Sequence, residues 1–326
     1  MRLDEGNKIV DGELEALEKR LTREYAKAST EVRKKLQKYW ADFARKDEAK
    51  KALVDAGKLT QAEYVEWRTN QIYIAGRWTE LSKVLAEDFA NTNAIANGMM
   101  NGTAMDVYAI GHNYATFEVE KASALNTSYT LYNRDAVARL VKDNPDLLPL
   151  QTTKKIAKDL RWNKQLLQSA VTQGILQGES VPKIAKRIPR AVGESNYKGA
   201  IRRARTMMTS AENAGRLDGY KRAANLGIEI QKEWRATLDG RTRHEHRVVD
   251  GERVGLDEKF SNGLDCPGDP SGDPAEVYNC RCRIRAVIKG HERAADDLSR
   301  RDTTHFESQN YEDWKKSRPS YGKGAK

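Results

Sequence analysis

Five side chains of types that bind metal fall in the last third of the chain: His244, His246, Cys266, Cys280 and Cys282. Zinc takes four nitrogen or sulfur ligands arranged as a tetrahedron. Cys280 and Cys282 stand two apart, so on an extended strand both thiolates point to one side and can face one ion. Cys266 precedes them in a Pro/Gly-rich loop, and either histidine can complete the set. The candidate zinc ligands are therefore His246, Cys266, Cys280 and Cys282, with His244 as the other choice of nitrogen. A C-x-C pair is less diagnostic than paired C-x2-C, however. The two cysteines also share their strand face with Ile284, Ala286 and Ile288, and free cysteine packs as a small hydrophobe. Packing is the weightier reading and zinc the alternative. Three cysteines make no disulfide framework, and a bridge between positions i and i+2 would be strained.

The same stretch carries the residue types of a phosphodiesterase. His244 or His246 would be the base, and Glu245, Asp250, Arg241, Arg243 and Arg247 would surround a phosphate. No H-E-x-x-H, G-x-S-x-G or Walker loop supplies the other half of a site. The favoured reading is a structural turn at Asp239-Gly240 with His246 bonded to a neighbouring loop, and a nuclease or transferase using His246 is the enzymatic alternative. A further signal is charge. Residues 183–206 hold Lys183, Lys186, Arg187, Arg190, Lys198, Arg202, Arg203 and Arg205 against the single acid Glu194. Such a cluster suits a phosphate backbone, and Arg281, Arg283 and Arg285 would add a basic strand face. With no base-reading module in the chain, contact with double-stranded DNA would be non-specific and salt-sensitive. A solvated face or an acidic protein partner explains the cluster equally well.

Long helices must position these groups. From Leu14 the apolar residues Leu14, Leu17, Leu21, Tyr25, Ala28, Val32, Leu36, Tyr39 and Phe43 advance by steps of three and four in an eleven-residue period. That mean is close to one helical turn, so the stripe stays straight and suits a long packed helix better than a left-handed coiled coil. Thr60 and Glu63 form a capping box after Gly57. A second helical run follows through Tyr64, Trp67, Ile74, Trp78, Leu81, Leu85 and Phe89. The small, polar residues 91–102 predict a break, and another helix is expected over about 103–142, ending before Asn144-Pro145. Helices restart near 152, one opening at Ser180-Val181-Pro182 and the next at Ser195 or Asn196, with Gly227 ending it. Beyond Gly227 the period changes to two. Ile228, Ile230 and Trp234 predict a strand, Asp250-Gly251 a hairpin turn within 247–254, and residues 279–288 a final strand.

The chain has 326 residues with 57 Lys+Arg against 47 Asp+Glu, a formal net charge of +10. This length suits roughly two domains. The charged fraction, 32%, exceeds the ordinary ~25% and favours elongated, solvated helices. No apolar run is long enough for a membrane span, and the first residues lack a signal pattern, so a cytoplasmic setting is expected.

Several of these pieces occur in a recognisable order. Trp234 to Arg243, His246, Asp250-Gly251, Phe260, the Pro267-Gly268-Asp269-Pro270 loop and Asn279-Cys280-Arg281-Cys282 together resemble the phage Mu protein F-like family, the minor head or head morphogenesis proteins of tailed bacteriophages. Gly174 to Ser180, Ala204-Arg205-Thr206 and Asn213 to Tyr220 extend the resemblance upstream. Cys266 and His244 lie outside the pattern. The resemblance implies a structural virion protein inside the capsid, associated with the portal and inner capsid surface, living beside packaged double-stranded DNA and made in the host cytoplasm. Some related domains are fused to toxin enzymes whose activity lies in the added domain.

The expected fold class is α+β: an elongated helical region over 1–150, a central helical segment over 151–227, a small β-rich module over 228–290 and a polar, flexible tail over 291–326. Trp234, Phe260, Ile284 and Ile288 should form the module's core. Asp239, Arg243, His246, Asp250, Asn279 and Arg281 should form a polar network around the P-G-D-P loop, with His246 within ~10 Å of both cysteines, a distance only a shared site or core requires.

Overall fold

The computed structural model describes residues 4–73, 77–123, 129–289 and 310–322. Its elements are α1 (Glu5–Asp55), α2 (Gln61–Tyr73), α3 (Arg77–Ser123), α4 (Arg134–Asp143), a 3-10 turn (Pro145–Leu147), α5 (Ala157–Leu176), α6 (Val181–Ala224), β1 (Ile230–Arg235), α7 (His244–Val248), β2 (Arg253–Gly255), α8 (Pro274–Val277), β3 (Arg283–Ile288) and α9 (Tyr311–Lys316). The expected mainly helical fold with a small β module is what forms. The straight stripe becomes the 51-residue α1, with Leu17, Leu21, Tyr25, Val32 and Leu36 buried. The capping box also forms. The Thr60 N–H donates to the Glu63 carboxylate and the Glu63 N–H donates to the Thr60 hydroxyl.

Two compact units result, each assembled from separate stretches of chain: one from 19–98 and 152–201, the other from 1–18, 99–151 and 202–326. The first is helical. Val32, Leu36 and Trp40 of α1 pack with Trp78, Leu85 and Phe89 of α3, Leu167 and Val171 of α5, and Ile184, Ile188 and Val192 of α6. The Trp40 and Trp78 rings stack at 6.0 Å. The second unit contains the antiparallel sheet β2-β1-β3. Trp234 lies opposite Ile284, and Ile230 opposite Ile288. With Phe260, Leu264, Val277 and the three cysteines they form one apolar cluster, on which Ala115 and Val119 of α3 and Tyr220 of α6 pack.

Four local expectations are corrected. The predicted break at 91–102 lies inside α3. Asn93, Asn97 and Asn101 recur every fourth residue, so they share one helix face, and each side chain is used. Asn93 accepts from the Tyr25 hydroxyl and donates to Asn196; Asn97 donates to the Thr152 carbonyl; Asn101 brackets the Gln151 backbone, donating to its C=O and accepting from its N–H. These tertiary bonds override weak helix propensity. Likewise, α6 runs unbroken through Pro189. Asn196 starts no helix, because its amide is buried and donates to Asn163 and the Val192 carbonyl.

The stretch ahead of Asp250-Gly251 is the helical turn α7 rather than a strand. His246 and Val249 are both buried, and positions three apart share a face on a helix but not on a strand. Gly251, at φ +83°, then returns the chain to β1, its N–H donating to the Trp234 carbonyl. Finally, residues 310–322 are packed where a flexible tail was expected. Tyr311 and Trp314 of α9 join Tyr114, Phe117, Tyr129 and Leu131 in a second apolar cluster. The Trp314 indole donates to Glu120, whose carboxylate also takes Arg318. Ile74, residues 124–128 of the helix expected over 103–142, and the remainder of the expected tail fall outside the described residues.

Candidate functional site

The site is built around Trp234, fully buried near the C-terminal end of β1, the middle strand of the sheet. Phe260 and His246 each meet its ring edge-to-face at 5.2 Å. His246 hangs from α7, and both ring nitrogens have partners. Nε2 lies 3.0 Å from Glu276 of α8. Nδ1 lies 3.6 Å from the Cys280 sulfur and 3.4 Å from the Cys282 sulfur. The three donor atoms lie within 4.8 Å of one another, and all three residues are buried. Burial works against a charged imidazole, but the Cys282 sulfur and Glu276 outweigh it and raise the His246 pKa. Hydrogen bonding from Cys280 lowers the Cys282 thiol, helped by His246, while Cys280 is raised.

Backbone geometry brings the sulfurs there. Asn279 has φ 55°, the only positive value at a non-glycine among the described residues. Asparagine tolerates this left-handed conformation better than other side chains. The bend turns Cys280 and Cys282 toward the core before β3 begins. Asn279→Val should therefore lose about 1–2 kcal/mol while Asn279→Gly stays within about 0.5 kcal/mol of the parent. Urea unfolding of the two variants checks this, and equal midpoints would refute it.

The remaining expected network residues divide. Arg281 forms a two-bond pair with Asp239 at 2.5 and 2.8 Å, which holds the Asp239 carboxyl well below the usual carboxylate range. Arg243 donates to the Tyr278 carbonyl. Asp250 accepts from the Ala236 N–H and fixes the start of the loop after β1. None of these bonds reaches the P-G-D-P loop. That loop is held by Asn213 of α6, whose amide donates to the Pro267 carbonyl, and by Asp269, which accepts from Asp265 and Ser271 within the loop. Gly268, at φ +80°, lies so close to α6 that a Cβ there would sit 2.9 Å from the Ser210 nitrogen.

Sequence reasoning missed the α6 side of this arrangement. Thr206 accepts from the Asn279 N–H and Thr209 donates to the Cys280 carbonyl. Asn213 donates to the Cys282 carbonyl and accepts from the Ile284 N–H. The three residues are spaced i, i+3, i+7, which is one helix face. Their spacing is the signal in the sequence, masked by the apolar residues Ala204, Met208 and Ala211 interleaved with them. Lys232 was missed too. It is buried on the core side of β1, donating to the Leu256 carbonyl above the Phe260 ring.

Cys266 is buried in the same cluster but does not join the three converging donors. Burial pushes its thiol up to about 12. His244 is exposed. Arg247, expected beside a phosphate, donates to the Asp239 carbonyl. The basic face of the last strand is neutralised internally: Arg283 pairs with Glu212 and Asp11, and Arg285 with Glu233. On α6, Arg187 pairs with Glu179, Arg190 and Lys198 with Glu194, and Arg205 with Glu18. Lys183 acts electrostatically on Glu179, and among the described residues Lys186, Arg202 and Arg203 make no ion pair within 4 Å.

Residues 165–285, which include this whole site, match the family described as phage Mu protein F like protein. The resemblance read from the motifs is borne out. The match covers these residues alone, under half of the chain. The minor head protein GP7 of Bacillus phage SPP1 is 26% identical to the chain over 293 residues, 88% of this chain and 87% of that protein. The NAD(+)–arginine ADP-ribosyltransferase EFV of Enterococcus faecalis is 30% identical over 201 residues, 61% of this chain. The chain spans 40% of that relative's length. No solved structure gives a significant match. The Mu F-like region thus combines the α6 polar face, the P-G-D-P loop and the N-C-R-C turn into one buried arrangement. No helix among the described residues is long and apolar enough to cross a membrane.

Proposed function

We propose that this protein is a structural minor head protein of a tailed bacteriophage, acting in head morphogenesis from the capsid interior. One observation carries this reading: the similarity to a phage minor head protein runs nearly end to end on both chains, so the shared architecture includes the long helices and not only the Mu F-like region. The portal and inner capsid surface are the partners the resemblance implies, and the assembled virion is its location after synthesis in the host cytoplasm. The similarity to the ADP-ribosyltransferase reaches less than half of that protein, so its activity is not carried across. The geometry of His246 supports a non-enzymatic reading. Its ring is buried and both nitrogens are engaged, leaving no open face for a polymeric substrate.

Co-expression with the portal protein of the same phage genome, followed by size exclusion at moderate salt, tests the assembly role. Co-elution in a large complex is expected; elution of the protein by itself would overturn portal association. DNA contact is a separate element of the proposal. Lys183, Lys186, Arg202 and Arg203 are its candidate phosphate contacts, and an open groove of about 450 Å3 beside α6 is lined by Arg33, Lys186, Arg190 and Tyr197. Each phosphate contact adds ~0.9 to the slope of log affinity against log salt. Changing these four cations to glutamate should flatten that slope by ~3.6, and unchanged duplex binding would refute the contact.

A further inference from the structure

We propose that His246, Cys280 and Cys282 form a binding site for one thiophilic divalent cation, with Zn2+ as the natural occupant. Zinc bonds of ~2.3 Å to sulfur and ~2.05 Å to nitrogen, opened at the tetrahedral angle, place those two ligands about 3.6 Å apart. The sulfurs of Cys280 and Cys282 stand 3.6 and 3.4 Å from His246 Nδ1. Both nitrogen–sulfur separations therefore match those of two ligands on one zinc ion, and all three donor atoms lie within 4.8 Å of one another, so a single ion can meet all three.

The surroundings suit a metal as well. Zinc-binding histidines commonly hold the other ring nitrogen against a carboxylate, which fixes the ring, and Glu276 occupies that position at 3.0 Å. The Cys282 N–H donates to the Cys280 sulfur at 3.4 Å and fixes its position. Two thiolates and a neutral imidazole cancel the charge of the dication, so the filled site satisfies the low tolerance of a buried environment for net charge. The same Cys–His–Glu order would serve a thiol nucleophile, but Cys280 and Cys282 are each 2% exposed and His246 1%. A metal ion fits where a substrate cannot enter. The ion would link α7, the N-C-R-C turn and, through Glu276, α8, in a small sheet module that has no disulfide among its free cysteines.

Metal analysis of the full chain, purified under reducing conditions without chelator, tests this. About one zinc per chain is expected, retained in Cys266→Ala and lost in Cys280→Ser/Cys282→Ser. Because loss of both buried thiols can by itself unfold the module, the parent chain is also stripped and titrated with Co2+. Thiolate-to-cobalt charge-transfer absorption and tetrahedral d–d bands should appear at one equivalent. Glu276→Gln, with an unchanged far-ultraviolet circular dichroism spectrum, should bind ~10–100-fold more weakly. A folded, stripped parent chain that gives no Co2+ spectrum would overturn the proposal. So would metal retained in the double serine variant, or a Cys280–Cys282 disulfide found by mass in the reduced preparation.

Discussion

Gly215→Ala should destabilise the protein by about 2–4 kcal/mol, although alanine is the better helix former by about 1 kcal/mol. A Cβ at Gly215 would stand 2.2 Å from the Tyr108 carbonyl oxygen. That obstacle is backbone, so no rotamer change relieves it. The crossing of α3 and α6 in this unit is built from such approaches: a Cβ at Gly111 would meet the Glu212 carbonyl at 2.5 Å, and one at Gly219 would meet the His112 carbonyl at 2.9 Å. Gly12 on α1 is the control, since a Cβ there meets nothing within 4 Å. Gly12→Ala should therefore stabilise by about 0.5–1 kcal/mol. One substitution type, two helices and opposite signs make the comparison stringent. Thermal and urea unfolding read both, and a neutral Gly215→Ala would show that the crossing is looser than described.

Asn213→Ala should lose about 3 kcal/mol, because a fully buried amide leaves several groups unpaired at once. The Ile284 N–H and the Pro267 and Cys282 carbonyls all lose a partner. These lie in different segments that α6 holds together, so the loss extends to the cysteine turn as well as to stability. Asn213→Asp separates the donor from the acceptor. It keeps an acceptor for Ile284 but directs a carboxylate at two carbonyls. At neutral pH it should be at least as damaging as alanine, and it should recover partly as acid restores a donor on the carboxyl group. Urea midpoints across pH measure this; a pH-independent loss would mean the two carbonyl bonds contribute little.

The fold class and the β-module core were legible because their signals are periodic and local. The step of three and four through Leu17, Leu21 and Tyr25 survives in α1, and the alternation of Ile230 and Trp234 survives in β1. The meeting of His246 with Cys280 and Cys282 was readable from motif order, but not from strand alternation: the strand expected over 279–288 begins only at Arg283, and both cysteines lie in the turn ahead of it. What stayed hidden depends on distant partners. Asn93, Asn97 and Asn101 look like turn residues until their bonding partners are known. Thr206, Thr209 and Asn213 look like interruptions of an apolar helix until the N-C-R-C turn is placed against them. Cys266 shares the composition of a ligand set but not its position, and no spacing rule separates it from the other two cysteines. Tyr311 and Trp314, three apart after the capping Asn310, did carry a local signal, outweighed by the charge around them.

The threading of the chain through its two units sets a schedule for synthesis. Residues 1–18 belong with 99–151 and 202–326, and 19–98 belong with 152–201. At ~10 residues per second, roughly twenty seconds separate the emergence of Val10 and Leu17 from that of the α6 segment completing their unit. Neither unit can close early, because each needs residues near or beyond 200. During that interval the apolar side of α1 is covered only in part, by the α3 residues Trp78, Leu85 and Phe89, and nascent chains on one polysome carry the same incompletely covered side. Slower growth at low temperature would lengthen the exposure, and chaperones that shield long amphipathic helices would shorten its effect. A fragment limited to 165–285 would avoid the delay, but it would lack Ala115 and Val119, on which the β module rests.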